Sequence, residues 1–125
     1  LIAKAKEVMT KAYAPYSHFQ VGAALLAKDG RVFTGCNVEN ATYGATICAE
    51  RTAVTKAVSE GVREFEKIAI VASSGEYAAP CGICRQVLFE FMPEGKVVLW
   101  SELEGEKEFA LTELLPFGFR GEDIK

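Results

Sequence analysis

Two short stretches, Cys48-Ala49-Glu50-Arg51 and Pro80-Cys81-Gly82-Ile83-Cys84, constrain this chain more than any others. Each reads as the start of a helix, and the interval between them has room for one helix and one returning strand. Orphan N–H groups and the positive end of the helix dipole favour thiolate over thiol at such positions. A zinc ion held by three thiolates, with a carboxylate beside it, would explain why those residues sit there.

The remaining composition leaves that chemistry room. At 125 residues the chain suits one domain with a single core, and half of it is hydrophobic and a quarter charged. A formal net charge of −3 argues against an electrostatically driven nucleic-acid binder, so a small or neutral substrate is expected. No apolar run approaches a membrane span. No leader pattern opens the chain, which begins Leu1-Ile2, and the expected compartment is a reducing cytosol. Four cysteines also permit two disulfides, but that framework suits small secreted domains without a proper core. In a reducing compartment a C-x-x-C with a distant third cysteine points to a metal or redox site.

Read in order, residues 1–12 predict an amphipathic helix that stops before Pro15. Strand-like runs at 19–27 and 31–38 flank Lys28-Asp29-Gly30, a strong hairpin signal. Gly22 marks a bulge or the close approach of another backbone. A loop at 40–46 leads to a helix over 48–60, whose apolar stripe is Ala49, Ala53, Val54, Ala57 and Val58, with Gly61 as cap. A buried strand at 67–72, a helix at 81–91 and another buried strand at 96–100 follow. Residues 101–109 suit a turn and a short edge strand. Thr112 is expected to cap one last helical turn before Pro116. Strands alternating with helices predict an α/β fold, a mixed sheet covered by helices.

Three protein ligands leave one zinc position open, the pattern of catalytic sites. His18 and Cys36 offer no convincing fourth ligand. Residues two apart on a regular helix point in different directions, so Cys48 and Glu50 share a site only if Cys48 stands at the helix's first, not fully helical, position. Arg51, three residues on, shares the Cys48 face and can donate to its sulfur, offsetting the surplus charge of three thiolates.

The chain resembles the small, homotetrameric cytidine deaminase family over essentially its whole length. The matching pieces are Ala14-Pro-Tyr-Ser17, Phe19-Gln-Val-Gly-Ala-Ala, Gly35-Cys-Asn-Val-Glu-Asn, Cys48-Ala-Glu-Arg-Thr-Ala, Pro80-Cys-Gly-Ile-Cys-Arg-Gln and Leu114-Leu-Pro. Cys-x-Glu followed by Pro-Cys-x-x-Cys is the general signature of zinc deaminases. The resemblance implies a three-layer α-β-α fold with a central mixed sheet, as one deaminase domain over residues 1–125. It implies one zinc ion per subunit on Cys48, Cys81 and Cys84, and Glu50 as the catalytic proton shuttle. Cytidine or deoxycytidine would lose its amino group to water, as in pyrimidine salvage.

It further implies that Asn37 and Glu39 hydrogen-bond the ribose, that Phe19 packs against the pyrimidine, and that the Ala49 N–H meets the base carbonyl. Ala41, Tyr43 and Phe119 match positions that complete a neighbouring subunit's pocket, with Phe117 as the alternative stacking ring. Among the residues near the cysteines, Arg85 reads as an ion-pair or interface group, Cys36 as a small buried hydrophobe and His18 as a surface residue. The competing readings are a related cytosine-nucleoside deaminase of the blasticidin S type, a non-catalytic zinc-stabilised interaction module, and nucleic-acid editing, which the acidic balance disfavours.

Overall fold

The computed structural model describes residues 1–124; the domain expectation runs one residue further, to 125, outside the described residues. The elements are α1 (Ile2–Met9), β1 (Val21–Ala27), β2 (Val32–Cys36), α2 (Ala49–Ser59), β3 (Phe65–Ala72), α3 (Gly82–Phe91), β4 (Lys96–Ser101), β5 (Gly105–Ala110) and α4 (Leu111–Leu114). The five strands form one sheet in the order β2-β1-β3-β4-β5. Only β3 and β4 run parallel among these neighbours, so the sheet is mixed as the sequence predicts.

Side-chain alternation along the strands divides the core into two faces. Ala23, Leu25, Ile68 and Ile70 belong to the larger cluster, with Ala49, Ala53, Val54 and Ala57 of α2 and Leu88 and Phe89 of α3. Ala24 and Val71 point the other way and meet Ala5, Ile2 and Met9 of α1. The result is three layers: α1, the sheet, then α2 and α3 together.

Small residues set the spacing of those layers. The α2 stripe that faces the sheet is mostly alanine, which lets the helix lie close to β2. A Cβ on Gly35 would stand 2.5 Å from both Ala49 O and Ala53 N. On the other face, a Cβ on Gly22 would stand 2.0 Å from Ala5 O. Of the two roles predicted for Gly22, close approach is therefore the one it fills. The register irregularity in β1 falls between Leu26 and Ala27 instead.

Several ends differ from prediction. The first helix closes at Met9 rather than at residue 12, because Tyr13 is drawn into another pairing: its N–H donates to Asn37 O and its carbonyl accepts from Glu39 N. The second strand of the hairpin closes at Cys36, with Val38 bridged separately to Tyr13 and Ile47. The strand expected at 67–72 begins at Phe65. Thr112 does not cap the final helix. It lies inside α4, and the cap comes from Glu113, whose carboxylate accepts the Ala110 N–H at 2.8 Å. Cys36 is half-buried rather than buried, and His18 is exposed as expected.

Candidate metal centre and cleft

Both cysteine stretches are helix starts. Cys48 is the N-cap of α2, with extended backbone at φ −71° and ψ 154°. Cys81 is the N-cap of α3, at φ −66° and ψ 168°, and its Sγ accepts the Cys84 N–H at 3.5 Å. Cys84 lies in the first turn of α3. Cys48 thus stands where Glu50 can share its site, one residue before the regular helix.

The sulfurs converge. Cys48 Sγ lies 3.9 Å from Cys81 Sγ, which lies 3.4 Å from Cys84 Sγ, and all three are within 4.8 Å of one another. Zinc–sulfur bonds of about 2.3 Å in a tetrahedron would space the sulfurs by about 3.8 Å, so the cluster fits that ion with little movement. No fourth Cys, His, Asp or Glu joins the group among the described residues.

The electrostatics around the cluster are uneven. The Cys48 thiol is drawn down to about 5, chiefly by the hydrogen bond from Cys84, with burial opposing and Arg51 reinforcing. Cys84 is pushed upward by that same shared proton and by its burial. Of these two thiols Cys48 is the more acidic. Arg51 Nη2 donates to its sulfur at 3.3 Å, while Arg51 Nε is buried with no partner among the described residues. Glu50 is only 5% exposed. Burial pushes its carboxyl up to about 7, with the Cys48 charge adding to the rise.

A cleft of about 250 Å³ opens beside the cluster. Cys48, Ala49, Glu50 and Cys81 form its floor, and Phe19, Asn37, Glu39 and Thr46 line it together with Ser17. Its wall includes Val21 and Ile70 of the central strands, so the sheet itself places the cleft at the helix starts. A second concavity, of about 270 Å³, shares Ser17, Glu39 and Thr46 and is bounded by Tyr16, Asn40 and Tyr43.

Asn37 and Glu39 reach the cleft with much of their hydrogen bonding already committed. Asn37 Oδ1 accepts the Val21 N–H at 2.8 Å and its Nδ2 donates to Phe19 O at 2.8 Å, which pins the entry to β1. Glu39 accepts the Tyr16 and Ser17 N–H groups, at 2.9 and 3.1 Å, and the Ser17 hydroxyl. The Ser17 contact, the largest influence, holds the Glu39 carboxyl below its ordinary range.

Ala41, Tyr43 and Phe119 do not line the cleft. All three are exposed, Tyr43 at 74% and Phe119 at 57%, and Tyr43 packs edge-on to Tyr16. Arg85 makes no ion pair among the described residues. Its Nε donates to Pro80 O at 2.7 Å and its Nη1 to Leu114 O at 2.8 Å. Ser17 carried no role in the sequence reading. Its position two residues before Phe19 was the available signal, since a serine hydroxyl commonly accepts the N–H two residues on, as it does here at 3.0 Å.

Residues 1–100 match the family described as "Cytidine and deoxycytidylate deaminase zinc-binding region". A cytidine deaminase of Sporosarcina psychrophila is 50% identical over 125 residues, covering 99% of this chain and 92% of that one. One of Halalkalibacterium halodurans is 51% identical, covering 99% and 95%. The crystal structure of cytidine deaminase from Burkholderia pseudomallei superposes with a TM-score of 0.90 at 49% identity, covering 95% of this chain and 96% of that one.

Proposed function

This chain belongs to the cytidine and deoxycytidylate deaminase family, and from that premise we propose that it converts cytidine and deoxycytidine to uridine and deoxyuridine, releasing ammonia. The observation that carries the reading is one cleft in which a buried carboxyl, Glu50, stands beside three convergent thiols. Cys48, Cys81 and Cys84 would hold the zinc ion. When bound, the metal supplies the Lewis acidity that makes water a competent nucleophile near neutral pH.

The protein's own groups do the rest. Glu50 takes a proton from the attacking water and passes it to ring N3 as the oxygen adds to C4, then takes the remaining proton of that oxygen and delivers it to the amine as the C–N bond breaks. Its carboxyl is only 5% exposed and stands beside the thiols, where it can both accept and give a proton at the reacting atoms. The Ala49 N–H, at the first turn of α2, meets the base carbonyl, and Phe19 packs on the pyrimidine. Asn37 and Glu39 face the sugar hydroxyls. Glu39 already accepts the Ser17 hydroxyl, and its carboxylate has lone pairs left for a sugar hydroxyl, which favours a nucleoside over the free base. Arg51 donates to the Cys48 sulfur, which favours its anionic form.

The proposal includes a homotetramer in which Ala41, Tyr43 and Phe119 complete a neighbour's pocket. Their exposure away from their own cleft supports it, as does the row of exposed Tyr13, Tyr16, Val38 and Ile47 nearby. Among the described residues no helix is long and apolar enough to cross a membrane. With a net charge of −3, we assign neither a membrane nor a nucleic acid as partner, and place the enzyme in the cytoplasm as a single domain.

The test is Glu50→Gln. Zinc content per chain, measured by elemental analysis, is expected to stay at wild type, while cytidine turnover, followed by ultraviolet absorbance, falls about 10²–10⁴-fold. Full turnover by the variant would remove Glu50 from the chemistry.

A further inference from the structure

The residues that follow the second metal-site motif hold the C-terminal segment in place. Gln86, half-buried on α3, makes a reciprocal pair of hydrogen bonds across 33 positions: its Nε2 donates to Phe119 O at 2.7 Å, and its Oε1 accepts the Phe119 N–H at 3.3 Å. The segment between α4 and Phe119 is seated close to the same helix. A Cβ on Gly118 would stand 2.8 Å from Leu115 Cδ2 and 2.9 Å from the Phe89 ring, so the chain passes there without room for a side chain. Arg85, the neighbour of Gln86, joins Pro80 O to Leu114 O and so fixes the start of that segment to the loop that carries Cys81. The backbone of residue 119 is thereby clamped to the metal-bearing helix while the Phe119 ring is left 57% exposed. A large apolar ring held out by backbone clamps at both of its peptide groups is pre-ordered for a contact outside its own fold.

We propose that Gln86 is a positioning residue: its paired hydrogen bonds fix where the Phe119 ring is presented to the substrate pocket of an adjoining copy. The inference rests on the role proposed above for Phe119 and adds the device that aims it. Gln86 touches no substrate. Its loss therefore shows as weakened substrate binding with the chemical step retained.

The experiment uses the zinc-loaded full chain and measures KM and kcat for cytidine in four forms: Phe119→Ala, Gln86→Met, Gly118→Ala, and the Phe119→Ala/Gln86→Met double variant. Zinc content and thermal midpoint serve as folding controls. Methionine keeps the length and helix preference of glutamine but supplies no N–H donor or amide oxygen. The expected result is a KM raised about tenfold by each single variant, the scale of one lost base–aromatic stack, with kcat within about threefold of wild type. The double variant is expected to go no further than Phe119→Ala alone, because the two residues act through one contact.

Gly118→Ala reaches the same segment from its packed side, so the test survives if Gln86→Met folds poorly. A raised KM in Phe119→Ala with normal KM in both Gln86→Met and Gly118→Ala overturns the positioning role and leaves the Phe119 reading standing. Additive effects in the double variant overturn it too, since Gln86 would then act elsewhere. A normal KM in Phe119→Ala removes the role of Phe119 and the inference with it.

Discussion

Gly35→Ala puts the layer spacing that builds the cleft under direct test. The added Cβ would lie 2.5 Å from Ala49 O, 2.5 Å from Ala53 N and 3.0 Å from Ala53 Cα. All three are backbone atoms of α2, so no side chain can rotate away. Carbon contacts relax at about 3.5 Å, and the helix must therefore move by about 1 Å or the strand must bend by as much. Overpacking of this kind costs about 1–3 kcal/mol, and a clash with backbone on two sides belongs at the upper end. For a chain of this length that corresponds to a thermal midpoint lowered by about 10 °C.

The same displacement carries the first turn of α2, with Cys48, Ala49 and Glu50, away from Cys81 and Cys84. A 1 Å misplacement at a reacting centre lowers turnover by about a hundredfold. The assay is urea unfolding of the zinc-loaded variant, paired with cytidine turnover at a temperature where the variant is fully folded. Gly121→Ala is the control, since nothing lies within 4 Å of its added Cβ. Gly35→Ala within about 0.5 kcal/mol of wild type, with turnover within a factor of about two, would refute the close approach of β2 and α2.

The remaining expectations concern the walls of the site. Arg51→Ala removes the donor to Cys48 Sγ and is expected to weaken zinc retention about 10–100-fold, read by competition with a chelator. Asn37→Ala leaves the Val21 N–H and the Phe19 carbonyl without their partners; a loss of about 2–4 kcal/mol in urea unfolding is expected, separate from any effect on KM. The pH dependence of the Ser17–Glu39 contact has a definite sign. The Glu39 carboxyl is lowered in the fold, so its stabilising effect is present above the ordinary carboxylate range and is lost as pH falls through the lowered value. Amide exchange at Tyr16 and Ser17 is accordingly expected to gain protection as pH rises through that interval, relative to Glu39→Gln.

Much of this architecture is legible in the residues because local signals and burial agree. The Asp29-Gly30 turn, the alanine stripe of α2 and the apolar runs of β3 and β4 each name their element, and the mixed sheet follows from their order. The thiol cluster is legible for a different reason: Cys48, Cys81 and Cys84 belong to helix starts, and helix starts are signalled locally.

What escaped depends on contacts between distant segments. The end of α1 is set by Tyr13 pairing with Asn37 and Glu39, which no window around residue 12 contains. Glu113 rather than Thr112 caps α4 because β5 runs to Ala110 and delivers its N–H to that carboxylate. Asn37 reads as a ligand group, yet its amide also ties two backbone groups of the β1 entry. Arg85 reads as an ion-pair or interface group, and within the chain it satisfies two carbonyls, one of the metal loop and one of the C-terminal segment. In each case a polar side chain serves backbone groups far away in sequence, and its residue type alone does not say which.

If the cleft at the two helix starts removes the amino group of a cytosine nucleoside, its activity must depend on zinc held there. Cytidine absorbance is followed with protein stripped by a chelator, then with the same protein after one equivalent of zinc per chain. The stripped protein is expected to show no turnover, and turnover is expected to return, with uridine and ammonia in equal amounts, at one zinc per chain. Equal turnover in the stripped and reloaded protein, or none with any cytosine nucleoside after reloading, would contradict zinc-dependent deamination in that cleft.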